Sequence, residues 1–340
     1  MPGPPDPDRF FRFPTPGAQE WWYFDAIADD GEWALVVVWY AGLPFDPSYG
    51  LAAIRHLKDP ARHPIPDALD HAAIGFSLYR RGKTAAYALN RYPSDRFAHE
   101  ADPFSVAVAM SRVERTGSGY ALHVETPAVD GRRTIRADLR FVPADGTEPL
   151  ERDLGGRGGA HHWILAAADC RVEGTVVVDG PGPLSVDFRG RGYHDHNAGA
   201  EEISVAWTRW RWGRVHVGAR TAIYYRAEPR DGAMRSLWVV CEDGRPEVVR
   251  DDAALSFDDW HRHPLGIRHA RSLGIDGIDP PPRWRHRDLV DYGPFYLRWL
   301  TEFTVDGRTA TGFTELLEAR SLHKPWFNWM IPYRLKTPRE

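Results

Sequence analysis

Trp33 to Tyr40 reads Trp-Ala-Leu-Val-Val-Val-Trp-Tyr, an unbroken apolar and β-branched run of the kind a strand shows when both of its faces are buried. Extended to Leu43 it reaches about half the length of a bilayer-spanning helix. Weaker versions of the pattern follow along the chain. Ala72 to Tyr79 and Thr84 to Asn90 flank an Arg-Arg-Gly-Lys turn and predict a hairpin. Phe104 to Met110, Tyr120 to Glu125 and Thr134 to Phe141 come next, then 161–178 and 184–195, joined by Asp-Gly-Pro-Gly-Pro. Later strands are expected at 205–226, 235–241, 245–249, 295–305 and 309–320. Residues 1–19 read as an extended Pro-rich arm, 152–160 as a flexible loop, and 251–285, rich in Asp, His, Pro and Arg, as a long loop. The tail from His323 to Leu335 is the one candidate for a short helix. Short strands, regular turns and almost no helical period predict an all-β sandwich or barrel architecture with antiparallel strands.

The totals exclude several classes. A chain of 340 residues with net charge −4 and no basic tail gives no footprint for nucleic acid. Cys170 and Cys241 are too few for a disulfide framework and read as reduced, buried thiols of a cytoplasmic protein. Met-Pro-Gly-Pro-Pro-Asp-Pro-Asp at the start has neither the basic nor the apolar region of a signal peptide, so membrane contact is expected to be peripheral at most. A nucleophile elbow, a phosphate-binding loop and a dinucleotide fingerprint are all lacking, which weakens covalent, nucleotide and nicotinamide chemistry.

Chemistry-bearing residues concentrate in Gly190-Arg-Gly-Tyr-His-Asp-His-Asn-Ala-Gly199, followed by Trp207-Thr-Arg-Trp-Arg-Trp-Gly-Arg214. Residues i and i+2 of a strand share a face. Tyr193 and Asp195 therefore point one way and His194 and His196 the other, and His161 shares a face with Trp163. If those faces line one pocket, an acid, a proton relay, a phenol and an indole meet there. A carboxyl among indoles is poorly solvated as an anion, so Asp195 would hold its proton near neutral pH and act as a general acid. The competing reading pairs Asp195 with Arg191, Arg209 or Arg214. His161, His162, His194, Asp195 and His196 are metal-ligand types, but the alternation separates them, and no metal is expected. Trp207, Trp210 and Trp212 are either core or a wall whose ring faces stabilise positive charge. Glu20-Trp21-Trp22-Tyr23-Phe24-Asp25 fits a strand whose rings serve both the core and a cavity.

These motifs, in this order and with a late segment from Glu315 to Pro332, resemble the carotenoid 1,2-hydratase (hydroxyneurosporene synthase) family and its lipocalin-like relatives. The likeness runs from about residue 14 to 335, and Gly-Tyr-x-Asp-His-Asn is its most specific part. It implies two consecutive lipocalin-like β domains, 1–200 and 201–340, with a cavity near their junction. The family's functional His-x-Trp matches His161 and Trp163, and its Tyr-x-Asp matches Tyr193 and Asp195. Around these four, Trp21, Trp22, Tyr23, His196, Trp207, Trp210 and Trp212 are expected to bind a small apolar isoprenoid or polyene substrate. The resemblance implies cofactor-free addition of water to a terminal isoprenoid double bond. Asp195 would donate the proton, Trp163 would stabilise the cation, and His161 with Tyr193 would hold the water, whose proton His161 would accept. A terpenoid or polyene cyclase with the same pocket, and a carrier without chemistry, are the rival readings. Ala198 departs from the large aromatic expected after Asn197, which would reshape the pocket.

Overall fold

The computed structural model describes residues 6–156, 159–232, 234–279 and 281–338, apart from the side chain of Asn328. Two antiparallel sheets make up almost all of it. The first has twelve strands between Gln19 and Gly199, and the second has nine between Trp207 and Leu317. In the first, Gln19–Ala28 is an interior strand between Trp33–Ala41 and Leu184–Gly199, and the latter also pairs with His161–Asp179. In the second, Trp207–Val217 is an interior strand between Arg220–Pro229 and Arg308–Leu317.

Each sheet curls around its own core. In the first, Trp39 Nε1 donates across the curl to the carbonyl of Ser111 at 3.2 Å, over an interior that includes Trp22, Phe24, Phe76 and Phe141. In the second, Trp284 meets Tyr224 and Trp238 edge-on, with ring centroids 5.2 and 5.4 Å apart. A third apolar cluster joins the sheets and draws on both: Trp21, Tyr23, Trp163 and Tyr193 from the first, Trp207, Trp210, Trp212 and Tyr225 from the second.

Strand alternation explains this division. On Gln19–Ala28, Glu20, Trp22 and Phe24 face the interior of the first sheet, while Trp21, Tyr23 and Asp25 face the second sheet. The partner strand follows in register, with Tyr23 opposite Asp195 and Trp22 opposite His196.

Several sequence expectations are corrected. The 205–226 strand is a hairpin, Trp207–Val217 and Arg220–Pro229, turning at Gly218 with φ +58°. The 251–285 loop contains a second hairpin, Leu255–Arg262 with Arg268–Ile275. Its outer strand is mostly exposed, so it carries no apolar signal. A twelve-residue helix, Pro47–Lys58, was not foreseen; Asp46 caps it by accepting from Ser48 N at 2.9 Å, with Pro47 opening the first turn. The tail helix is a single turn, Pro325–Asn328. Of the expected loop at 152–160, Arg152 and Asp153 end a short strand, and Arg157 and Gly158 lie outside the described residues, as do 1–5 of the arm. Both cysteines are free and buried.

Candidate active site

Asp195 sits in the layer between the sheets, where three donors converge on its carboxyl group. Tyr193 OH and Trp163 Nε1 donate to Oδ2 at 2.8 and 3.0 Å, and Asn197 Nδ2 donates to Oδ1 at 3.0 Å. All four side chains are buried. None of the three arginines that could have paired with Asp195 does so. Arg191 pairs with Asp169, Arg209 with Glu318 and Arg214 with Asp25. Burial is the dominant influence and pushes the Asp195 carboxyl up to about 7. The Trp163 and Tyr193 hydrogen bonds oppose that rise, and the nearby charges of Glu315 and Asp25 add to it. The group is thus poised between acid and anion at neutral pH, with donors in place for the anion it becomes on giving up its proton.

His161 stands behind Asn197 and not at the cavity. Because Asn197 gives its amide hydrogens to Asp195, its Oδ1 faces His161 Nε2, which donates to it at 3.3 Å. The imidazole is enclosed by Trp21, Trp207 and Trp210, with ring centroids 5.6, 4.7 and 6.4 Å away. Burial lowers its pKa to about 4, so it is neutral at physiological pH. In this arrangement His161 positions Asn197, and Asn197 positions Asp195. Trp163 likewise offers its N–H to the acid.

Two adjoining spaces open here. An apolar cavity of about 610 Å³ runs between the sheets, with Val36, Val38, Tyr40, Leu89, Phe295 and Tyr296 among its walls. A nook of about 30 Å³ adjoins it, lined by Trp21, Tyr23, Asp195, Asn197, Trp210, Trp212, Tyr225 and Glu315. The two share Trp21, Tyr23, Trp210 and Glu315 as walls. The large cavity does not touch Asp195, so the nook is where substrate would meet the acid. Its size leaves room for about two waters.

Glu315 and Asn197 stand in the sequence motifs but carry no role there. Glu315 accepts from Arg298 Nε at 2.7 Å and from Tyr23 OH at 3.3 Å, and Arg298 Nη1 donates to Tyr79 OH at 2.9 Å. Its signal in the sequence was faint, since it lies far along the chain and reaches the nook only because Trp212 and Glu315 are register partners. Conversely, Trp22 and His196 do not reach the nook. They stack on each other at 4.9 Å on the opposite face, where His196 Nε2 is 2.7 Å from Glu20 Oε1. Trp207 backs His161 and Trp210 without lining either space. Ala198 shares the face of His196, opposite Glu20, so its small size does not reshape the pocket.

Tyr193→Phe tests the hydrogen-bond assignment. Losing a donor to the anion is expected to raise the Asp195 pKa, moving the alkaline limb of the rate profile to higher pH. The rate itself should fall by about 10- to 100-fold, as for loss of a hydrogen bond to a charged group. An unmoved limb would detach Tyr193 from the acid.

Two curled antiparallel sheets, with an apolar cavity between them and a buried carboxyl in the small nook beside it, define a lipocalin-like protein. Residues 42–340 match the carotenoid hydratase CrtC family, and the chain belongs to that family of hydro-lyases. It is 28% identical over 85% of its length to a protein named hydroxyneurosporene dehydrogenase from Chlorobaculum tepidum, covering 78% of that protein. It is 26% identical over 98% of its length to an acyclic carotenoid 1,2-hydratase from Thiocapsa roseopersicina, covering 77% of it. The fold is similar to the crystal structure of an AttH protein from Nitrosomonas europaea, with TM-score 0.61 and 13% identity, over 94% of this chain and 99% of that one.

Proposed function

We propose that this protein adds water to a terminal isoprenoid double bond of an acyclic carotenoid by acid catalysis. The observation that carries the reading is Asp195, a buried carboxyl with a pKa raised to about 7 in an indole-lined nook beside an apolar cavity.

Asp195 gives its proton to the terminal alkene carbon, leaving a tertiary cation and a carboxylate held by Tyr193, Trp163 and Asn197. The rings of Trp21, Trp210 and Trp212 line the nook and face the positive charge. A water in the nook then bonds to the cation. The proton it loses passes to Glu315, the second carboxyl group of the nook, whose counter-charge is Arg298. After the product leaves, water refilling the nook carries that proton back from Glu315 to Asp195, both of which line it. This revises the expectation that His161 takes the proton and that Trp163 faces the cation, since both stand behind the nook. Hydration adds a proton and a hydroxide and moves no net electrons, so a donor and an acceptor are sufficient for it.

The test is the mass of pigments from a host that accumulates lycopene or neurosporene and expresses the protein. A product heavier by one water is expected. A product of unchanged mass but altered chromatographic mobility would favour cyclisation, and an unaltered pigment retained by the purified protein would favour a carrier.

A further inference from the structure

The exposed tryptophans and tyrosines of the described residues are gathered at one place. Trp260, Tyr292, Trp326, Trp329 and Tyr333 are 41–69% exposed. Tyr292, Trp329 and Tyr333 line the cavity between the sheets, and Trp260 and Trp326 line an adjoining groove that shares Leu265 and Pro294 with it. Water-facing indoles and phenols are unfavourable unless something covers them, and rings of this kind are enriched where proteins meet the headgroup region of a bilayer.

The groove also has a charge bias. Its walls carry five cations, Arg209, Arg262, Arg268, Arg320 and Lys324, against one carboxylate, Glu318. The chain as a whole has net charge −4, so this positive face runs against its average. The segment bearing Trp326, Trp329 and Tyr333 is a strap tied to both sheets. Arg91 N donates to Lys336 O at 2.8 Å and Lys336 N to Leu89 O at 2.9 Å in the first sheet, and Arg334 pairs with Asp291 at the end of a second-sheet strand. Its aromatic rings are thereby held at the cavity's rim.

We propose that this rim, the 324–336 strap with the adjoining groove, docks on an anionic lipid bilayer and draws the apolar substrate from it. A cavity of about 610 Å³ lies in the range that encloses a drug-sized molecule. It therefore takes one end of a long polyene and leaves the remainder outside the mouth, where a bilayer keeps it from water. That last step rests on the hydratase reading; the surface chemistry does not.

The experiment is co-sedimentation of the purified protein, without substrate, with vesicles of phosphatidylcholine alone or mixed with phosphatidylglycerol. Binding is expected to rise with the anionic lipid. Lys324→Glu combined with Trp326→Ser should weaken it by about tenfold or more, given about 1 kcal/mol per basic residue at an anionic surface. Arg262→Glu, on the opposite wall of the groove, should act in the same direction and covers the case in which the strap variant misfolds. None of these side chains lines the cavity, so kcat on substrate in detergent micelles should be unchanged. Failure of the unaltered protein to sediment with either vesicle overturns the proposal. So does a self-association in ultracentrifugation that the same substitutions abolish, because a second copy then covers the patch. Vesicle binding without turnover in micelles retains the docking surface and sinks the hydratase reading, whereas turnover in micelles without vesicle binding does the reverse.

Discussion

Asp195→Asn is expected to lower kcat by about 10³-fold or more while leaving the fold intact, the range for loss of a general acid. The substitution keeps the shape of the side chain and an acceptor for Tyr193 and Trp163. It adds an amide donor towards Asn197, whose own amide can turn to offer Oδ1 in exchange, with His161 taking its other tautomer so that Nε2 accepts. In the unaltered protein the rate requires the protonated form, so it should be full at acidic pH and fall as pH rises through about 7. Stability follows the same sign. A carboxyl whose folded pKa lies above its unfolded value of about 4 contributes stability that is present below pH 4 and lost as pH rises through 7. The amide variant does not ionise, so its melting temperature should exceed that of the unaltered protein at pH 8 relative to pH 5. Rapid-quench or steady-state kinetics with thermal scans at the two pH values give both readings. A variant with substantial turnover would remove Asp195 from the chemistry. Glu315→Gln supplies the contrast, since it should lower kcat by removing the proton acceptor while leaving Asp195 able to donate.

The faces of the site strands were legible in the sequence, and their neighbours were not. Alternation placed Tyr193 with Asp195 and His161 with Trp163, and the structure joins all four through hydrogen bonds from Trp163, Tyr193 and Asn197 to Asp195 and from His161 to Asn197. The same rule set His196 on the opposite face from Asp195, and register then carries Trp22 with it. Assigning both to the substrate overrode a physical signal already present. Asn197, Glu315 and Arg298 needed strand pairing to be known, because no local pattern says which strand will lie across the cavity. The hairpin within 251–285 escaped for a different reason. Its residues are largely exposed, so burial imposed no alternation on them. The helix at Pro47–Lys58 had a readable start, an Asp-Pro-Ser cap, but buries only Tyr49, Gly50 and Ala53, too narrow a stripe to announce a helical period.

Asp25→Asn is expected to destabilise the protein by about 3–5 kcal/mol, the cost of breaking a buried ion pair by removing one partner. Asp25 of the first sheet and Arg214 of the second pair directly, and both side chains are 0% exposed. Arg214 is otherwise poorly satisfied: its Nε and Nη1 have no hydrogen-bond partner among the described residues, and its guanidinium lies 5.3 Å from the Phe313 ring. A guanidinium cannot shed its charge in the folded state, so neutralising Asp25 leaves a bare cation between the sheets. The reverse substitution should cost less. With Arg214→Met, Asp25 can take up a proton, and burial already pushes its carboxyl up. Replacing both partners with apolar residues should restore much of the loss. The ordering Asp25→Asn worst, Arg214→Met intermediate and the double variant mildest is readable from urea denaturation midpoints. Equal losses in all three would mean that packing volume, not charge, joins the sheets there. The pair also reaches the chemistry. Asp25 is the register neighbour of Tyr193 and its charge helps to raise the pKa of Asp195. In whatever fraction of Asp25→Asn stays folded, the alkaline limb of the rate should therefore move to lower pH, opposite to the shift expected for Tyr193→Phe. One buried carboxylate would then link the docking of the two sheets to the acid strength of the group between them.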